Sequence, residues 1–461
     1  MRNVTPLVLL FACAPVLATT PLEFERPVVV GGITGGGAIS TAAGDFDGHG
    51  IPEIIRTRAS GTLQLLRRSG DTWTRRDLIT PGGRLSRYGG DTSIVDVNGD
   101  GLLDVVVTES RDNAGPGNLW WYQNPGGDLS APWVEHNIAT WDNSSSQPQN
   151  RVEHMADVEF ADLDGDGLVD IVTRDVSTGV YLHFQQRTAK PGGGFDITWQ
   201  QRFIDANPRE GLQLGDVDGD GHVDITFNGI WWKNPGGAAA RGTGYNVTAD
   251  YARSGTDPFV IDDRWYPESG GKLLYATKQA VGDVNGDGLL DIVITNGEVL
   301  GNGGNPTGKP LGAILYLAGG GTSDDPTSSD YWARVQLETD GADLHGVRMG
   351  DLNGDGLLDI FTANSQVGSV HRKDDNGNDF FEMIVWLNEG DGQFTRQVLF
   401  DQSMYSGILI DADGDGDLDI IGPDDWNDGA LRFYENVTVI PEPGTPAAGA
   451  ALLAAVRRRR R

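Results

Sequence analysis

Asp96-Val97-Asn98-Gly99-Asp100-Gly101-Leu102-Leu103-Asp104 sets side-chain oxygens at the first, third, fifth and ninth positions of a nine-residue stretch, with glycine at the sixth. A glycine there permits the sharp turn that gathers those oxygens, and an all-oxygen set at this spacing suits calcium. Magnesium demands a tighter octahedron with retained waters, and zinc or copper would want His or Cys, which these loops mostly lack. The same phrase, D-x-[DN]-G-D-G-x-x-D, begins again at Asp162, Asp216, Asp283, Asp351 and Asp411, and a degenerate copy begins at Asp45.

From first Asp to first Asp the intervals are 51, 66, 54, 67, 68 and 60 residues, long enough for each to hold a supersecondary unit. Around the copy at Asp96, Ser93 to Val95 leads in and Leu103 to Thr108 leads out, both β-branched enough to read as strands, so the loop joins a hairpin. Leu119 to Gln123 is a third apolar run, Asn124-Pro125-Gly126-Gly127 breaks the chain, and Trp133 to Ile138 is a fourth run. Four strands per period is a propeller blade. The order recurs around Tyr181 and Phe203, Trp231 and Phe259, Tyr316 and Val335, and Trp386 and Val398. Seven motifs therefore imply an all-β, seven-bladed β-propeller with calcium-binding hairpin loops, spanning residues 22–438.

The seventh unit stops after Asp419 to Ile421 and Leu431 to Asn436, one strand short, while Phe24 to Val30 is a strand-like run with no loop of its own. The N-terminal strand is expected to close the last blade, which removes exposed sheet edges.

Repeat architectures grow by adding units, so 461 residues need not mean two or three domains. A hydrophobic content of 38% and 66 glycines fit short strands joined by tight turns. The net charge of −31 argues against nucleic acid as partner, because phosphate binding needs a basic surface. Much of the charge sits at ligand positions. Three or four carboxylates within about 4 to 5 Å repel one another by several kcal/mol at an effective dielectric near 20, so a cation should tighten the loops. Extracellular modules bind calcium at about 10⁻⁴ to 10⁻³ M, worth roughly 1 kcal/mol per site at millimolar calcium.

Residues 1–18 read as a secretory signal peptide: Arg2, the apolar run Pro6 to Val16, then the small-residue end Val16-Leu17-Ala18. Leu10-Phe11-Ala12-Cys13 raises a lipoprotein alternative, against which stand the bulky Phe11 and the short preceding run. Cys13 is the only cysteine, so a mature chain is expected to lack disulfides and to rely on calcium as its staple. At the other end, Pro441-Glu442-Pro443-Gly444, an apolar stretch from Ala447 to Val456 and Arg457 to Arg461 resemble the PEP-CTERM sorting signal of exopolysaccharide-producing Gram-negative bacteria. That resemblance assigns 439–461 to a sorting tail with transient membrane anchoring, and implies export to the cell surface or extracellular matrix. The apolar stretch, about 10 residues, would span about 15 Å as a helix, half of a bilayer core.

Asp283-Val284-Asn285-Gly286-Asp287-Gly288-Leu289-Leu290-Asp291 and Asp162-Leu163-Asp164-Gly165-Asp166-Gly167-Leu168-Val169-Asp170 resemble FG-GAP and VCBS repeats, the propeller units of integrin alpha subunits and many bacterial surface proteins. The resemblance implies calcium at the first, third, fifth and ninth side chains and the seventh backbone carbonyl. Carried over, the side-chain ligands are Asp96, Asn98, Asp100 and Asp104; Asp162, Asp164, Asp166 and Asp170; and Asp216, Asp218, Asp220 and Asp224. The later copies give Asp283, Asn285, Asp287 and Asp291; Asp351, Asn353, Asp355 and Asp359; and Asp411, Asp413, Asp415 and Asp419. About six calcium sites follow. The first copy departs, with His49 fifth and Glu53 ninth, leaving Asp45 and Asp47. Metal-free Asp-Gly turns are the plainer alternative, but turns alone do not require oxygen at four fixed positions.

One face of such a disc carries the motif loops, and the other carries the blade-to-blade links and second-to-third loops, with insertions at Ala139 to Arg151, Asn296 to Gly312 and Asn364 to Asp379. Ahead of the motif loops, at the channel mouth, stand Arg87, Tyr88, His154, Glu210, Lys278, His345 and Tyr405. A polysaccharide lyase could use them: His154 or His345 as base, Tyr405 as acid, and Arg87 or Lys278 to neutralise a uronate. The plainer reading is a wet, polar channel. No G-x-S-x-G, H-E-x-x-H or phosphate-binding glycine loop occurs, and Gly301-Asn302-Gly303-Gly304 reads as flexible loop. Trp120-Trp121-Tyr122 and Trp231-Trp232 are tempting sugar platforms, but strand alternation sends most of these rings into the core. The expectation is therefore a surface or matrix adhesion module for glycan or protein, by analogy with integrins, with the lyase as its rival.

Overall fold

The loop at Asp96 turns Gly89–Val95 back on Asp104–Glu109, with Val95 opposite Asp104, and the chain then adds Gly117–Gln123 and Val134–Trp141 to the same antiparallel sheet. The first strand begins four residues earlier than the sequence suggests, because Gly89-Gly90-Asp91 lacks β-propensity and is held by its partner instead. Six more four-stranded sheets repeat this order, with first strands Ala38–Gly44, Met155–Ala161, Gln213–Gly215, Tyr275–Gly282, Leu344–Gly350 and Ile408–Ile410. The computed structural model describes residues 21–32, 38–58, 62–70, 72–79, 89–109, 117–142, 152, 155–175, 178–205, 211–241, 259–262, 264–265, 275–299, 312–339, 343–366, 371–390, 392–424 and 429–438.

First strands of successive blades touch all the way around, including Ile408–Ile410 of blade seven against Ala38–Gly44 of blade one, so the ring is closed. Val28–Val29 supplies the outermost strand of blade seven, with Val28 opposite Phe433 and Val29 opposite Arg432; Phe24 adds a bridge to Asn436. The expected closure by the N-terminal strand is present, although its regular part is two residues long. Because a strand at the rim needs only its inner neighbour, a short one suffices to cover the edge.

The core lies between blades. Among the described residues seven apolar clusters form, one per junction, such as Val97, Trp121, Val158 and Tyr181 between blades two and three, and Phe361, Val385, Ile420 and Tyr434 between blades six and seven. Trp120, Trp121, Tyr122, Trp231 and Trp232 are all buried in such layers, which agrees with the core reading of those rings. The hairpin of blade three is unusual in length: Gly179–Ala189 and Phe195–Asp205 each run 11 residues, so its tip overhangs the motif-loop face. Among the described residues no helix is long and apolar enough to cross a membrane.

Candidate functional site

Every motif loop folds around its first carboxylate. Asp96 Oδ1 accepts hydrogen bonds from the backbone N–H of Gly99 at 2.7 Å and Asp100 at 3.1 Å, and its Oδ2 accepts from Gly101 at 2.8 Å. Asp283, Asp351 and Asp411 make the same three bonds, and Asp162 and Asp216 make the last two. The nest requires left-handed backbone at the fourth and sixth positions, φ +74° at Gly99 and +87° at Gly101, which is why both are glycine.

The ninth carboxylate is fully buried in all six regular loops. Asp104 Oδ2 accepts from Val97 N at 3.2 Å and its Oδ1 from Asn124 N at 2.8 Å, tying the loop to the end of the third strand. Burial pushes these groups up, to about 7 for Asp104, Asp170, Asp359 and Asp419, about 8 for Asp224 and about 6 for Asp291. Each is thus a buried acid whose charged form burial disfavours and two backbone N–H donors favour. Carboxylate oxygens of positions one, three and nine lie within 4.8 Å of one another in the loops at Asp162, Asp216 and Asp411, and also in the degenerate copy through Asp45, Asp47 and Glu53. There the longer Glu53 reaches the place of the shorter Asp, accepting from Phe46 N at 3.0 Å. The fifth-position carboxylates instead face outward and cap the seventh N–H, as Asp100 does for Leu102 at 3.0 Å and Asp166 for Leu168 at 2.9 Å.

Charge within the loops is balanced in two ways. Where the third residue is Asn, its amide N–H donates to the fifth-position carboxylate: Asn98 to Asp100 at 2.9 Å, Asn285 to Asp287 at 3.0 Å, Asn353 to Asp355 at 2.9 Å. Where it is Asp, a basic side chain approaches. Arg241 pairs with Asp164 and Asp166, Lys233 with Asp218 and Asp220, Arg68 with Asp413, and Arg67 and His49 with Asp47. The acidic groups of these loops could hold a metal ion, and an all-oxygen donor set is the kind that fits calcium.

The channel mouth gathers a different set. Lys278, His345 and Tyr405 line one cavity of about 110 Å³, whereas Arg87, Tyr88, His154 and Glu210 lie outside the described residues, as do 1–20, Gly301-Asn302-Gly303-Gly304 and 439–461. His345 and Tyr405 are buried and stacked on each other at 3.9 Å, with His345 Nδ1 2.8 Å from the Tyr405 carbonyl oxygen. The sequence reading passed over the acids beside them. Asp91 accepts from Ser40 Oγ at 2.9 Å and Val158 N at 3.0 Å; Asp157 accepts from Gly211 N at 3.0 Å; Glu159 accepts from Gln213 Nε2 at 2.8 Å. Enclosure in the channel and neighbouring acids push Glu159 up to about 8 and Asp91 to about 6, while burial lowers Arg348, which faces both. These side chains point inward from first strands, and a search for polar residues just ahead of the loops does not reach them; the signal was the polar alternation Asp157, Glu159 within one strand.

A family profile described as the FG-GAP-like repeat matches residues 45–107, 96–173, 283–362 and 351–422, together more than half of the chain. Cartilage acidic protein 1 of Xenopus tropicalis is 29% identical over 159 residues, 34% of this chain and 23% of that protein, so the match spans less than a quarter of the relative's length. The exotype rhamnogalacturonan lyase YesX has a similar fold, with TM-score 0.44 and 14% identity over 91% of this chain and 74% of that one. BBS1N, solved in complex with ARL6DN, gives TM-score 0.47 and 10% identity over 92% and 98%. These two likenesses speak to neither ligand nor activity.

Proposed function

The chain belongs to the FG-GAP-like repeat family, and from that premise we propose that it is an exported propeller, stapled by calcium, that serves as a cell-surface or matrix binding module for glycan or protein. The observation that carries this reading is the buried ninth-position carboxylate, repeated in six loops and, in those at Asp162, Asp216 and Asp411, set beside the first and third carboxylates. Six buried acids in a chain of net charge −31 make sense when a divalent ion offsets them. The residues that would hold it are Asp96, Asn98 and Asp104, with Asp100 at the rim, and their counterparts in the other five loops; Asp45, Asp47 and Glu53 offer a seventh, weaker set. Calcium when bound supplies fixed positive charge and no reaction.

Export is supported by the charged, apolar and small-residue order of 1–18 and by the PEP-CTERM-like order of 439–461, and millimolar calcium outside the cell suits such loops. A binding role is supported by the packing of His345, one of the two candidate bases, against the candidate acid Tyr405; His154, the other candidate base, is left to the His154→Ala variant. The test is incubation of the purified protein with acidic polysaccharides, following unsaturated-uronate absorbance for the protein and for His154→Ala, beside a glycan array. Array signal without turnover is the expected result; product that disappears in the variant would replace the module with an enzyme.

A further inference from the structure

We propose that the cleft between blades two and three is a binding site for neutral oligosaccharide; the assignment rests on the binding-module reading and gives it a location and a ligand class. The cleft holds about 610 Å³, within the ~300–1,000 Å³ of small-ligand sites. One wall is the overhanging outer strand of blade three, where alternation sets Phe195, Ile197 and Trp199 on one face. The opposite wall is Trp121 and His136 of blade two, stacked at 4.1 Å, with Gln123 Oε1 3.2 Å from His136 Nε2. The motif loop of blade two closes one end with Asn98 and Asp100.

Two features select the ligand. Phe195 is 52% exposed, one of four exposed large apolar side chains among the described residues, and it stands in a cleft rather than on a convex surface. The Arg187 guanidinium stands 5.8 Å from the Phe195 ring centroid, and the exposed remainder of that ring, beside amides and carboxylates, matches the C–H face and hydroxyl edge of a pyranose. The balance of charge then disfavours acidic sugars. Lys190 is held 2.9 Å from Asp196, and the Arg187 guanidinium donates to Gln185 Oε1 at 2.7 Å and Val97 O at 3.2 Å, while Asp100, Glu135 and Asp196 carry negative charge into the cleft. Gln123, Glu135 and Asn137 line the cleft already engaged with His136, Tyr122 and Ala139, and their remaining lone pairs and amide N–H groups can meet sugar hydroxyls.

Titration calorimetry and saturation-transfer NMR with cellohexaose, maltohexaose and mannohexaose, and with oligogalacturonate as the acidic control, test the assignment in calcium buffer. At least one neutral hexaose should bind, with Phe195→Ala and Trp199→Ala each weakening it about three- to tenfold. Trp199 also packs on the interblade core, so Asn137→Ala, at an exposed position, provides a variant that keeps the fold. Binding that all three variants leave unchanged removes the site from this cleft while the module reading stands. Binding of oligogalacturonate alone, or of no sugar, overturns the neutral-sugar assignment; only turnover in the uronate assay overturns the module itself.

Discussion

The side-chain amide of Asn388 in blade six donates to the carbonyl of Val284 in blade five at 2.7 Å, across 104 residues of chain. The same nitrogen reaches Leu358 O at 3.1 Å, and the Asn388 N–H binds Asp359, so one residue joins its own motif loop to the preceding one. Asn124, Gln185, Asn234 and Asn436 make the equivalent bond to Phe46, Val97, Leu163 and Leu352. Ala318 stands at this position in blade five and Arg68 in blade one, where it faces Asp413 and Glu435 of blade seven. The motif loops therefore form a belt linked at six of the seven junctions around one face of the disc, the exception being blades four and five, where Ala318 has no side-chain donor.

Asn388→Ala leaves two buried carbonyls without this donor and is expected to cost about 1–3 kcal/mol. Denaturant unfolding in calcium checks it. An unchanged midpoint would mean that the belt contributes nothing between blades five and six.

Volume is matched across the same junctions. A Cβ on Gly350 would lie 2.8 Å from Leu418 and 3.0 Å from Leu409, and one on Gly282 2.9 Å from Leu358. Glycine precedes the motif at Gly44, Gly215, Gly282 and Gly350, where the next blade brings Leu103, Leu290, Leu358 and Leu418; where the next blade brings Val169, Val223 or Pro52, the residue is Val95, Ala161 or Ile410. Gly350→Ala should destabilise by about 1–3 kcal/mol, and Leu418→Val in the same chain should recover part of the loss. Additive losses would refute the pairing.

Lys233 stands against Asp218 and Asp220 with its side chain 37% exposed, so solvent screens but does not abolish its charge. Removing it as Lys233→Met should tighten calcium binding at that loop about three- to tenfold, read by calorimetry against the parent protein. Weaker binding would show that the lysine organises the loop rather than competing for it.

Glu159 shares the channel with Asp91, Asp157 and Arg348, and its pKa stands near 8 in the fold. A carboxyl raised above its unfolded value keeps its proton in the folded protein, so its effect on stability is most favourable below about pH 4 and is lost as pH rises through 8. Glu159→Gln cannot ionise. Its melting temperature should fall less between pH 5 and pH 9 than that of the parent, both in saturating calcium, whereas parallel falls would mean that Glu159 is charged throughout.

Blade number, motif loops and ring closure were legible because each depends on local chemistry: Asp-Gly spacing, β-branched runs and turn residues. The interblade belt was not. Asn124 reads as the start of the Asn-Pro-Gly-Gly break, and its amide nitrogen, like that of Asn234, serves a carbonyl in another blade, which spacing alone does not reveal. The glycine–leucine matching was present in the residues but becomes visible only when blades are set side by side. The structure sets His345 and Tyr405 against one cavity, and their stacking, which the sequence does not show, leaves both rings buried. The Phe195 cleft owes its depth to a hairpin longer than its neighbours, and that length shows only against the other blades.

Thermal unfolding in millimolar calcium and in excess chelator tests the central claim most directly. Six sites worth roughly 1 kcal/mol each should lower the melting temperature by at least several degrees on chelation, with full recovery when calcium is restored. The same melting temperature in both conditions would mean that the acidic loops hold their shape without calcium, and would contradict the account.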